Sequence, residues 1–336
     1  MAKLAWPHKI RFPGVFLWLN TAQPFVVLPI SLHHTTYNKY DGNIRHKLIN
    51  LLCIFRYLHL QDNMDPAVDK SDKLWKLRGF MDLLLAKFQD LYEVNGFVTV
   101  DESMVKFKGR LAFRQYLPMK PLKWGVKVWV MAESKTGYVN HFQVYTGAIQ
   151  GKAEKDLAHR IVMDLAKDYF GSNLTIYMDN FYTGVPLMVD LKNRGVQACG
   201  TVRANRKGLP KSKDLTKQAS MNRHQFKVAQ QDDLTFCIWQ DTKAVMVLSN
   251  FHDPTAFGSV RRKVNGQRQV EVCVPACLAD YQQHMKGVDL LDQMVGYYQI
   301  QHRSTKWWSR LFLFPHGGVL QCLCGCQVCR RSRLEI

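Results

Sequence analysis

Between Phe97 and Phe107 apolar and polar residues alternate with a period of two, and no other stretch constrains the fold of this chain as tightly. Such a run buries one side only as a strand. Gly109-Arg110 turns out of it. Trp124–Met131 and Tyr138–Tyr145 read as two further strands, joined by the turn Ser134-Lys135-Thr136-Gly137. The period then changes to that of a helix. Leu157, Ile161 and Leu165 share one face of a segment from Asp156 to Phe170, with Gly171 just past its end. Leu174–Met178 is a short, β-branched apolar run suited to a strand buried on both faces. A second helix over Val185–Asn193 leads through Gly195 to a strand near Val196–Val202.

Three meandering strands followed by helix, strand, helix, strand is the order of a ribonuclease-H-like α/β domain. The expected fold is therefore a mixed sheet with flanking helices, interrupted by a small inserted β domain and preceded by a helical region. Residues 1–42 show neither period and form a divergent N-terminal segment. A helical region fills 43–96: one helix is expected over Asn43–Leu60 and another over Leu74–Tyr92, with Phe80, Leu84, Phe88 and Tyr92 at helical spacing and Asn95-Gly96 as its stop. The first part of the core spans 97–202. Residues 203–280 read as a basic β insertion, with strands near Thr235–Trp239 and Val245–Leu248 and a basic turn at Arg261-Arg262-Lys263. The core resumes as helix over 281–314, and 315–336 is a Cys-rich tail.

The acids carry the chemistry. Asp101 lies on the first strand, Asp179 follows the fourth, and Asp289 and Asp292 stand three apart on a late helix, pointing the same way. In this architecture Asp101 and Asp179 are neighbours, and the late helix brings the other two across the same end. Two divalent ions about 3.5–4 Å apart activate an attacking water or 3′-hydroxyl and stabilise the leaving oxygen in phosphoryl transfer. Mg²⁺ needs few carboxylates if they converge, and Mn²⁺ can replace it. All four acids are thus candidate metal ligands and catalytic residues, with Asp179 as the bridge. Taken singly, each is more often a cap or turn residue; the set carries the metal reading. Glu102 alternates to the opposite face and reads as structural.

The charge balance points to the substrate. Lys and Arg number 46 against 27 Asp and Glu, a formal charge of +19, which favours a polyanion such as double-stranded DNA. Residues 199–231 contain eight Lys or Arg and one acid. Arg203, Arg206, Lys207, Lys211 and Lys213, with Arg261, Arg262 and Lys263, are the candidate DNA contacts; a solvated loop is the plain alternative. Trp307-Trp308 suits stacking on bases or, more often, core packing. The nine Cys are odd in number, and the central five (Cys53, Cys199, Cys237, Cys273, Cys277) are scattered, as in a reduced intracellular protein. Residues 13–32 are apolar but broken by Pro13, Pro24 and Pro29, so no membrane span is expected.

The sequence resembles the catalytic core of piggyBac-type transposases and the host proteins derived from them. The resemblance runs from about Asn43 to Leu313. It is carried by Val100-Asp101-Glu102-Ser103-Met104 through Phe107-Lys108-Gly109-Arg110, and by Tyr116-Leu117-Pro118-Met119-Lys120-Pro121 with Lys123-Trp124-Gly125. Met178-Asp179-Asn180-Phe181-Tyr182-Thr183, Gly287-Val288-Asp289 and Leu291-Asp292-Gln293-Met294 continue it. The resemblance implies a ribonuclease-H-like fold with an inserted β domain and cut-and-paste transposition at TTAA sites through hairpin ends. It also implies that Asp101, Asp179 and Asp289 match the catalytic aspartates and that Asp292 matches the acid accompanying them.

Both ends depart from the family pattern and read as truncated. After Lys306-Trp307-Trp308-Ser309-Arg310-Leu311-Phe312, Pro315 and Gly317-Gly318 break the expected helix. Cys322, Cys324, Cys326 and Cys329 are too crowded for a two-knuckle zinc module, so zinc is not expected. The expectation is a Mg²⁺-dependent DNA strand-cleavage and strand-transfer core, nuclear, with a homodimer as one arrangement. Its alternatives are a domesticated DNA-binding protein that does not cut and an inert truncated isoform.

Overall fold

The computed structural model describes residues 59–118, 120, 122–148, 154–210, 221–263, 269–297 and 304–314. The segment 1–42, the helix expected from Asn43 and the Cys-rich tail lie outside them, as do Lys211 and Lys213. The first described helix, α1, is Arg78–Leu91. It starts four residues later than its apolar spacing suggests, because 60–77 form successive turns; Asp72 accepts from the Leu74 N–H and pairs with Arg78. It ends at Tyr92, which is extended, and not at Gly96. The Tyr92 ring stacks on Tyr138, 4.4 Å between centroids, and its hydroxyl donates to Glu133, which draws the chain out of the helix.

Strands β1 (Phe97–Lys106), β2 (Gln115–Tyr116), β3 (Trp124–Glu133) and β4 (Val139–Val144) precede helix α2 (Leu157–Ala166). Strand β5 (Thr175–Met178), helix α3 (Val185–Asn193) and strand β6 (Gln197–Thr201) follow. Apart from β2, which the periodicity does not show, these agree with it to within a few residues; α2 closes as a 3₁₀ turn over Lys167–Tyr169.

The sheet then continues. Strands β7 (Phe226–Gln231), β8 (Leu234–Gln240) and β9 (Ala244–Ser249) join its far edge, giving the order β2-β3-β1-β5-β6-β9-β8-β7, with β4 also on β3. The β1–β5 and β5–β6 pairs are parallel and the rest antiparallel. Residues 226–249, read above as part of a separate insertion, thus extend the main sheet. The reason is packing: Phe236, Ile238, Met246 and Leu248 complete the core that Val100, Ile176, Leu165 and Leu191 begin.

A separate hairpin, β10 (Phe257–Lys263) and β11 (Gln269–Pro275), leads into α4 (Ala276–His284), α5 (Gly287–Tyr297) and α6 (Trp307–Leu313). Arg261-Arg262-Lys263 is therefore strand, not turn. Helices α2 and α3 cover one face of the sheet, and the hairpin and α4 cover the other, where Tyr177, Cys199, Trp239, Val260, Val274 and Cys277 are buried together. Cys199, Cys237, Cys273 and Cys277 are free thiols. No helix among the described residues is long and apolar enough to cross a membrane.

Helix α5 begins at a glycine for a steric reason. A Cβ on Gly287 would stand 2.8 Å from the Glu133 carbonyl oxygen and 2.9 Å from that of Ala132. The helix start therefore lies against the β3 backbone. The facing turn contains Gly137 at φ +71°, where a side chain is strained and would meet Leu290 at 2.9 Å. Two glycines thus let α5 sit on the sheet and carry its acids to β1.

Candidate active site

Along β1 the side chains of Thr99, Asp101 and Ser103 share one face, because alternate residues do. Helices α4 and α5 lie on that face: the Thr99 hydroxyl donates to the His284 carbonyl at 2.9 Å and accepts from the Gly287 N–H at 3.3 Å. The parallel register pairs Val100 with Met178, so Asp101 and Asp179 are the next residues on adjoining strands. From α5, Asp292 accepts a short hydrogen bond from the Ser103 hydroxyl. Asp289 is exposed one turn earlier and raises the proton affinity of Asp292 through its charge.

The electrostatics are those of crowded carboxylates. Burial, followed by the charge of Glu102, pushes the Asp101 carboxyl up to about 7, while Lys120 and the Glu102 N–H, 2.8 Å away, act against the rise. Burial raises Asp179 as well, opposed by the Phe181 N–H at 2.8 Å. Asp292 is raised by burial and eased by Ser103 and Lys120. Two tyrosines report the same field. Tyr182 is driven far up by burial and then by Glu102, Asp101 and Asp179, and Tyr281 to about 12 by burial, with Asp179 and Asp101 contributing.

Glu102 changes the reading of the site. It lies on the opposite face from Asp101, opposite Trp129, as alternation requires. Its charge nevertheless raises Asp101, Asp179 and Asp292. Lys120 and Lys127 stand 3.9 and 3.8 Å from its carboxylate, and the Tyr182 hydroxyl donates to it at 3.4 Å. Lys120 also donates to the Glu102 carbonyl at 3.0 Å. Period-two reasoning assigns faces but not the reach of a charge through a thin sheet, so it passed over Glu102, Lys120 and Lys127. Only the cluster of lysines after Tyr116 pointed to them.

Among the described residues no three His, Cys, Asp or Glu side chains converge closely enough to enclose a metal ion. The acids share a field without forming a closed ligand shell. The donor chemistry still fits a hard divalent cation: three part-buried carboxylates whose ionised forms are penalised, with only one lysine near two of them.

The candidate DNA contacts divide. Arg203 donates to the Asn180 side chain at 2.8 Å, and Arg206 donates to the Asn180 and Phe181 carbonyls, so both clip the loop that presents Asp179. Lys207 is exposed. Arg262 ties the hairpin to the body: it pairs with Asp241 at 3.2 Å, donates to Gln282 at 2.9 Å and lies over the Trp239 ring. Arg261 is exposed beside Glu271, and Lys263 ends its strand. Trp308 is buried and Trp307 packs edge-on against Phe113, in keeping with core packing for this pair.

The model of the transposase IS4 family matches residues 52–315. PiggyBac transposable element-derived protein 2 of Homo sapiens is 30% identical over 265 residues, covering 76% of this chain and 44% of that protein. PiggyBac transposable element-derived protein 3 of Homo sapiens is 27% identical over 278 residues, covering 80% of this chain and 46% of its own. The piggyBac transposase in a synaptic complex with hairpin DNA, solved by cryo-EM, superposes with a TM-score of 0.69 at 25% identity, over 80% of this chain and 55% of that one. The chain thus spans less than half the length of these curated relatives.

A ribonuclease-H-like sheet with aspartates side by side on adjoining parallel strands defines a transposase-type core, and the chain belongs to the transposase IS4 family. Within it, the chain is a piggyBac-type, transposase-like protein.

Proposed function

We propose that this chain is the catalytic core of a piggyBac-like DNA transposase, cleaving and transferring DNA strands at TTAA-type sites with Mg²⁺. One observation carries the reading: Asp101, within β1, stands beside Asp179, the residue that follows the parallel strand β5, and α5 delivers Asp292 to Ser103 on the Asp101 face. Asp101, Asp179 and Asp292, with Asp289, would hold the ions. When bound, Mg²⁺ supplies activation of the attacking oxygen and stabilisation of the leaving one.

The chain's own residues prepare the site. Phe181 N–H orients Asp179, and Arg203 and Arg206 brace the loop behind it. Ser103 holds Asp292 toward β1, and Lys120 offsets part of the acid charge. The solved relative is a synaptic complex with hairpin DNA, which together with the charge of +19 supports double-stranded DNA as partner and a nuclear setting. A dimer follows if two DNA ends are handled together.

The test is cleavage of a labelled duplex carrying a TTAA-flanked end, with Mg²⁺ or Mn²⁺, by the wild type and Asp179→Ala. Metal-dependent nicking by the wild type alone is the expected result. Nicking that survives Asp179→Ala would overturn the assignment. A second reading, a transposase-derived DNA-binding protein that does not cut, is favoured by the open acid cluster and the exposed Asp289. Its signature is salt-dependent duplex binding by a folded protein with no nicking in either metal.

A further inference from the structure

The edge of the sheet beyond the acids presents aromatic rings to solvent. Tyr116 on β2 and Trp124 on β3 are cross-strand partners, 49% and 42% exposed, with ring centroids 4.6 Å apart. The Arg114 guanidinium lies 4.5 Å from the Trp124 ring centroid and donates to the Lys108 and Gly109 carbonyls, which locks it to the turn after β1. Lys123, the residue before Trp124 in the chain, is exposed. Large exposed aromatics where β2 meets β3 leave apolar surface in water, and nothing in the sheet core requires them there.

Register places this cluster with the acids. Asp101 pairs with Val130 on β3, so Val128, Val126 and Trp124 share the face of Asp101 and Ser103. Tyr116, opposite Trp124, shares it too, as does Arg114 two residues earlier. Trp124 lies level with Phe107, whose N–H donates to its carbonyl, six residues along β1 from Asp101. That is about 20 Å at strand rise, or about six base steps of B-form DNA. The charge is one-sided: between Glu102 and Glu133 there are seven Lys or Arg and no acid.

We propose that Arg114, Tyr116, Trp124 and Lys123 form a stacking platform for unpaired nucleobases of the DNA strand passing the acid cluster. Stacking on an aromatic face is sequence-tolerant and needs a base free of its partner, while the cations hold the backbone. The platform engages opened or single-stranded DNA flanking the reaction point. A closed duplex hides its base faces from it. The inference rests on the proposed function only for DNA as the ligand.

The test is binding of a labelled oligothymidylate strand and of a matched duplex in EDTA, so that cleavage plays no part. Trp124→Leu with Tyr116→Leu is expected to weaken single-strand binding about tenfold or more and duplex binding by less than about threefold. Lys123→Gln should reduce the salt slope for the single strand by about 0.7. Unchanged single-strand affinity, or an equal loss on both DNAs, would overturn the platform. Circular dichroism checks folding, and Tyr116→Leu alone serves if the double variant does not fold. Wild type that binds neither DNA sinks the wider DNA-acting reading; wild type that binds duplex, with variants unchanged, sinks the platform alone.

Discussion

Asp101 and Asp280 belong to the same side of one sheet, and both are partly withdrawn from water, yet their proton affinities move in opposite directions. Burial and Glu102 carry Asp101 up to about 7. Burial also pushes Asp280 up, but donors from His252 and Tyr177, and the charges of His252 and His284, bring it below its ordinary value. Tyr177 donates to Asp280 at 2.5 Å, His252 Nε2 lies 3.2 Å away and His284 Nδ1 2.9 Å. Asp101 accepts only from the N–H of its neighbour among the hydrogen bonds seen, and its closest charges are mainly acids. Burial alone therefore does not decide what a carboxylate is for. Partners separate a structural acid, satisfied in place, from one left wanting a cation.

The comparison can be broken by removing either acid. Asp280→Ala should cost about 3 kcal/mol, since Tyr177, His252 and His284 lose a shared acceptor; chemical denaturation would measure it, and a loss within error would show that the network is only surface decoration. Next in size is metal. Mg²⁺ at about one hundred times its Kd should stabilise the wild type by about 2.7 kcal/mol through binding to the folded state alone. Asp101→Asn should lose most of that gain in thermal melts, whereas Asp280→Asn should keep it.

A smaller effect follows from the sign of the Asp101 shift. Its folded value is above its unfolded one, so ionised Asp101 opposes folding as pH rises from the ordinary carboxylate range toward about 7. Without metal at pH 8, Asp101→Asn should therefore melt higher, by about 2–4 °C for each ~1 kcal/mol relieved. A variant that melts lower would contradict the crowded-acid account. Asp280 runs the other way. Its folded value is depressed, so its contribution is fully present above the ordinary value of 3.8 and is lost as pH falls through the lower folded value. The difference in stability between wild type and Asp280→Asn should accordingly shrink as pH falls into acid. The smallest effect is Glu102→Gln, which should move the Asp101 titration downward, as read by carbon NMR of its carboxyl.

Much of this contrast was legible before any coordinates. Asp101 and Asp179 could be placed because the two strands that present them announce themselves by local pattern, and a parallel β1–β5 pair then makes them neighbours. Asp280 could not. It sits mid-helix in a segment of weak amphipathicity, and its donors come from β5, the loop after β9 and the next turn of its own helix. Arg262 shows the same limit. Its neighbours Arg261 and Lys263 give no sign that Trp239, Asp241 and Gln282 engage it.

By itself, then, the sequence determined the main strands and helices between β1 and β6, the family resemblance and the positions of the acids within their elements. These depend on side-chain period and on short motifs, which act over a few residues. The tertiary structure alone decided that 226–249 extend the main sheet, that Glu102 reaches the acids from the opposite face, and which arginines brace the body. Strand pairing, desolvation and charge act through space between residues far apart in the chain, and no local period records them.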